Sequence, residues 1–192
     1  MRRRDLLLAC ALCFAAAASR AEAPALRAGV FEPPREAPAF VLQGSDGAEL
    51  TLARFRGRVV LLAFGFTSCA DVCPITLSVL ARARAALGAE ADGVQVVYVT
   101  VDPERDDAAR MREYLAHFDA SFVGGTGSTA QLAALREQYG IAAKRVASGA
   151  SYAVAHSSFV YLIDRSGRLR ALMPFGHEPE DYVHDLRVLL AP

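Results

Sequence analysis

The sequence predicts an α/β domain, a central mixed sheet flanked by helices with a short N-terminal hairpin, on three observations. Two apolar runs, residues 59–66 and 94–101, have the length and composition of buried strands, and a helical pattern separates them. Strand, crossover helix, strand is the order that makes a parallel pair. Two later strand patterns, residues 158–163 and 169–173, are joined by the turn signal Asp164-Arg165-Ser166-Gly167 and add antiparallel strands to the core.

The elements follow in order. Phe40-Val41-Leu42 and Leu50-Thr51-Leu52 flank Gly44-Ser45-Asp46-Gly47, which reads as a hairpin. After the first apolar strand, residues 73–87 show helical spacing through Ile75, Leu77, Val79, Leu80 and Leu87. Asp102-Pro103 ends the second strand, and Asp106 or Asp107 caps a helix running through Met111, Tyr114, Leu115 and Phe118. Residues 129–139 form a further helix stopped by Gly140, and a loop with Gly149 and Ser151 leads to His156. After the late hairpin, residues 179–190 close the chain as an amphipathic helix. A cysteine pair, Cys69 and Cys73, stands at the first strand-to-helix junction, and with this element order that is the plan of a thioredoxin-like domain.

Residues 1–23 stand apart from this fold. Arg2, Arg3 and Arg4 form a basic region, residues 6–18 an unbroken apolar run, and Ala21-Glu22-Ala23 a small-residue cleavage site before Pro24, the layout of a signal peptide. The run falls short of the ~20 residues of a spanning helix, which favours a cleaved signal over an N-terminal anchor. Arg3-Arg4 leaves the twin-arginine route open beside the general one. The expectation is export to the periplasm, soluble or tethered by this segment. Cys10 and Cys13 lie inside the apolar run and read as filler.

Residues 24–38 carry Pro24, Pro33, Pro34 and Pro38 with little apolar periodicity and read as a semi-extended spacer, leaving 39–192 as one domain. Removing residues 1–23 takes four arginines and two acids from a balanced 21 and 21, so the mature chain is about two charges acidic. Lys and Arg are neither in excess nor clustered with aromatics, which argues against nucleic acid as a partner.

The chemistry concentrates at Cys69-Ala70-Asp71-Val72-Cys73-Pro74, which holds the only cysteines beyond the N-terminal segment. With Pro74 in the first turn of a helix, positions i and i+4 share a face with Cβ atoms about 5–6 Å apart. A relaxed disulfide wants about 3.5–4.5 Å; a soft metal ion between two sulfurs fits the spacing better. The positive end of the helix dipole is expected to favour thiolates, which serve redox and metal chemistry equally. A third donor separates the two. His117 and His184 fall on helices as solvated positions, and His177 lies in a turn before the last helix. His156 immediately precedes a core strand that such a fold sets across from the cysteine loop. Two thiolates and a neutral imidazole form a small, soft set that suits Cu(I); with a water they also suit zinc. On the residues alone, a plain loop histidine is an equal reading.

Four stretches together resemble the Sco/SenC family: Gly65-Phe66-Thr67-Ser68-Cys69-Ala70-Asp71-Val72-Cys73-Pro74, Thr100-Val101-Asp102-Pro103-Glu104-Arg105-Asp106, Phe122-Val123-Gly124-Gly125-Thr126-Gly127 and His156-Ser157-Ser158. They stand in family order and spacing, within a resemblance that runs from about residue 37 to the C-terminus. The family comprises exported or membrane-tethered copper-binding proteins that help build the Cu(A) centre of cytochrome c oxidase. The resemblance implies copper, as Cu(I) and also Cu(II), held by Cys69, Cys73 and His156. It implies delivery to the oxidase subunit that carries Cu(A), with other periplasmic copper carriers or thiol reductants as further partners. It also implies an alternative, a thiol-disulfide oxidoreductase that acts on that target's cysteines through Cys69 and Cys73. Against that alternative, a dedicated disulfide enzyme more often shows C-x-x-C, and a cis-proline where this chain has Ala155-His156. Asp71 matches an acidic position of the cysteine motif and doubles as a helix cap. Asp102, Arg105 and Asp106 match the D-P-x-R-D stretch, with Arg105 expected to lock against a carboxylate beside the site. Two departures stand out: Ala70 where proline is common, and Ala155 where an acidic residue often precedes the histidine.

Overall fold

The computed structural model describes residues 25–149 and 151–191. Its centre is β4 (Val59–Gly65) paired in parallel with β5 (Val94–Thr100), every residue of both strands buried. Continuous apolar sequence is what a strand covered on both faces requires. β6 (Val123–Thr126) continues the parallel set beyond β5. On the other side of β4 lie β9 (Phe159–Ile163) and β10 (Arg168–Pro174), each antiparallel to its neighbour. The hairpin of β2 (Leu42–Gly44) and β3 (Glu49–Leu50) pairs antiparallel onto β6. The outer edge beyond β10 is taken by β1 (Gly29–Glu36), giving the order β1-β10-β9-β4-β5-β6-β2-β3. This is the mixed, thioredoxin-like sheet that the sequence predicts.

Helices cover both faces. Side chains of a strand alternate between faces, so Gly65 and Phe64 identify them. Gly65 faces Cys73 at the start of α1 (Val72–Ala86). Phe64 meets Tyr139 at the end of α3 (Thr129–Tyr139), ring centroids 5.6 Å apart. α2 (Ala108–Ala116) lies on β6, where a Cβ at Gly124 would sit 2.9 Å from the Met111 side chain. α4 (Pro179–Leu190) packs on α1. Its buried Asp185 accepts hydrogen bonds from the backbone N–H of Arg27 (2.7 Å) and Ala28 (2.9 Å), which ties down the chain before β1.

Three features depart from the sequence reading. The expected spacer, residues 24–38, contributes β1, which is possible because an edge strand tolerates proline and this one shifts register between Val30 and Arg35. β6 is a strand that its glycines conceal. The expected loop before His156 is a separate two-stranded sheet of β7 (Ala143–Ser148) and β8 (Ser151–His156). The signal-peptide segment lies outside the described residues. Among those residues, no helix is long and apolar enough to cross a membrane.

Candidate metal centre

The end of β4 and the start of α1 bracket the loop that carries Cys69. Asp106, fully buried, holds that loop. It accepts from the Thr67 N–H (3.0 Å) and hydroxyl (2.6 Å), and from the Thr100 hydroxyl at the end of β5 (2.7 Å). α1 begins only at Val72, so Cys69 precedes the helix and the expected i, i+4 pairing on one helical face does not arise; a turn instead sets the Cys69 N–H on the Phe66 carbonyl (3.3 Å). Both cysteines are free thiols, Cys73 buried (3% exposed) and Cys69 partly exposed.

His156 ends β8 with its imidazole against Cys73. Its Nε2 lies 3.5 Å from Cys73 Sγ, and the Phe66 ring meets it edge-on with centroids 5.9 Å apart. Nδ1 is 2.9 Å from the Ser157 carbonyl, which can only accept, so Nδ1 carries the proton and Nε2 presents its lone pair to the sulfur. Burial holds the imidazole below the usual histidine range, which keeps it neutral.

Cys73 contradicts the expectation of a ready thiolate. Burial pushes its thiol up to about 12, with the Tyr98 hydroxyl lowering it and Cys69 beside it raising it further. Desolvation outweighs the helix dipole here because the sulfur sits inside the protein rather than at the helix tip's solvent face. The Cys73 S–H therefore donates to His156 Nε2. Between them lies a recess of about 10 Å³ lined by Cys73, His156, Tyr98 and Phe159, room for an ion and not for an organic substrate. A larger apolar groove of about 620 Å³ runs along α4 and shares no residue with it.

The hairpin bearing His156 is clamped from the D-P-x-R-D stretch. Asp102, 1% exposed, accepts from the Tyr152 hydroxyl on β8 at 2.8 Å and from Arg105 Nε. Arg105 also donates to the Tyr152 carbonyl at 3.1 Å, and its guanidinium lies 3.9 Å over the Tyr152 ring. Arg145 of β7 stacks on that ring at 4.6 Å. Tyr152 thus ties the site together, and its place two turns of alternation before His156 on an exposed hairpin left no signal in the sequence. Asp71 stands at the N-cap of α1 but makes no capping hydrogen bond, and it is exposed. His117, His177 and His184 lie elsewhere; the last two face Asp181 and Asp185.

Among the described residues, no three His, Cys, Asp or Glu side chains converge as a ready metal cage. The donors stand as a Cys73–His156 contact with Cys69 beside Cys73. The SCO1/SenC family model matches residues 30–191. The chain belongs to the SCO1/SenC family. Among Sco relatives, an SCO2-like protein of Rickettsia conorii is 31% identical over 77% of this chain and 74% of its own. A protein described as a putative copper-binding protein, from Stutzerimonas stutzeri, is 34% identical over 88% and 85%. Bradyrhizobium japonicum ScoI, solved with copper bound, superposes with a TM-score of 0.74 at 34% identity, covering 80% of this chain and 98% of that one.

Proposed function

We propose that this Sco-family domain is a copper chaperone that holds copper through Cys69, Cys73 and His156 and passes it to the cytochrome c oxidase subunit carrying Cu(A). The observation that carries this reading is the 3.5 Å contact between Cys73 Sγ and an Nε2 whose lone pair is free. Replacing the thiol proton with Cu(I) turns that contact into two bonds to one ion, and the neighbouring Cys69 completes a soft set. Copper bound in ScoI of B. japonicum, and the name of the S. stutzeri relative, support copper over zinc. Cys69, the more exposed sulfur, is where an acceptor's ligand enters and exchange begins.

Asp102 and Arg105 support His156 by holding its hairpin. Export to the periplasm, with residues 1–23 as signal or anchor and a copper-binding domain that includes β1, fits this role. A thiol-disulfide role would have to begin at the more exposed Cys69, since burial makes the Cys73 thiol a poor nucleophile at neutral pH.

The reduced domain lacking residues 1–23 is expected to bind one Cu(I) per chain, measured by metal analysis after desalting. Cys69→Ser and Cys73→Ser should each abolish tight binding, and His156→Ala should weaken it. Full affinity in either serine variant would sink the reading.

A further inference from the structure

Tyr98 on β5 is 1% exposed, and its hydroxyl is buried with no hydrogen-bond partner of ordinary geometry. Buried hydroxyls almost always find a partner. The surroundings explain why this one stands alone. Tyr98 pairs with Ala63 across the β4–β5 ladder, and the tip of its ring reaches over Gly65. A Cβ at Gly65 would fall on the Tyr98 hydroxyl and 2.9 Å from the Cys73 sulfur. One glycine therefore makes the space that the phenol and the thiol share. The hydroxyl of Tyr114, whose ring lies 6.5 Å from that of Tyr98, is also buried without a partner and does not satisfy it.

What the hydroxyl faces is a sulfur whose own proton is directed at His156. A neutral thiol is a weak acceptor, whereas a thiolate is a charged one. We propose that Tyr98 donates its O–H to the Cys73 sulfur once that sulfur is deprotonated and bound to copper, and so acts as a positioning residue for the metal-bound state. The inference rests on Cys73 being a copper ligand. In the empty protein the hydroxyl already faces Cys73 without ordinary hydrogen-bond geometry, and copper loading supplies the charged acceptor that a full bond needs. The hydroxyl therefore contributes more to copper affinity than to the empty fold, where its contact with the sulfur lacks ordinary hydrogen-bond geometry.

Tyr98→Phe separates this role from packing. The apo variant should melt at or above the wild-type temperature, because it loses no hydrogen bond. Its Cu(I) affinity, by chelator competition at fixed pH, should fall about tenfold, as for a hydrogen bond to a charged group. In the Cu(II) form the sulfur-to-copper charge-transfer band should move to lower energy, because the thiolate loses a donor. Tyr114→Phe should leave that band in place. As a measurement on the wild type, a tyrosine hydroxyl proton protected from exchange should appear in NMR spectra on Cu(I) loading. A Tyr98→Phe variant that matches wild type in affinity and band energy overturns the inference, as does a loaded wild type with no such proton. A wild type that takes up no copper overturns both this inference and the reading beneath it.

Discussion

At the residue scale, the chemistry turns on where one proton sits. The Cys73 thiol, pushed up to about 12 by burial, keeps its proton throughout the neutral range, and copper must displace it. Apparent Cu(I) affinity should therefore rise about tenfold per pH unit from this group alone between pH ~6 and ~8. His156 acts in the same direction but only at lower pH. Its conjugate acid is held below the usual range, so it is neutral above about pH 6.5 and competes with copper only below that. Competition with a chelator at several pH values checks both; a pH-independent affinity would contradict the displaced proton. Gly65→Ala places a methyl group against Tyr98 and Cys73. It should destabilise the fold by about 1–3 kcal/mol, as overpacking does, seen as a lower Tm together with weaker copper binding. The cysteine pair stood out because cysteine is scarce here, whereas His156 stood out from a plain loop histidine only through the family resemblance, and the structure sets it against Cys73. The state of Cys73 was not, because burial is a property of the folded surroundings and not of the C-x-x-x-C spacing.

At the scale of elements, the core strands and all four helices were legible because their apolar periods are long and their caps explicit: Asp107 accepts from the Arg110 N–H and Ser128 closes a capping box. What escaped was structure that lacks a period. β6 reads Val-Gly-Gly-Thr because Gly124 and Gly125 admit Met111 and Leu50 at close range, so its glycines record packing rather than a turn. β7 and β8 are mostly exposed and lie in their own sheet, so no apolar alternation marks them. That hairpin is held to the domain by Tyr152, Arg105 and Asp102. Tyr152→Phe keeps the ring between its two arginines but withdraws the hydroxyl from a buried carboxylate. We expect a loss of about 1–3 kcal/mol, faster hydrogen exchange confined to β7 and β8, and weaker Cu(I) binding. Exchange that accelerates evenly over the whole sheet would contradict a local clamp.

At the scale of the molecule, the two ends of the described chain meet through Asp185. Asp185→Ala should leave the N–H groups of Arg27 and Ala28 without acceptors and release β1 from the sheet edge. A loss of about 2–4 kcal/mol follows for two such groups, measurable by denaturant unfolding, with Cu(I) affinity little changed because the site lies at the end of β4. The site itself joins positions 83 residues apart in the chain, Cys73 and His156. In a disordered chain, bringing such positions together costs about 4–5 kcal/mol of loop entropy by the cross-link estimate, whereas Cys69 and Cys73 are never far apart. An unfolded or half-made chain therefore offers a metal only two neighbouring sulfurs, and the imidazole joins them only after the sheet has formed. Full-strength copper retention then acts as a certificate of folding: a damaged molecule gives up its cargo before it gives up its cysteines.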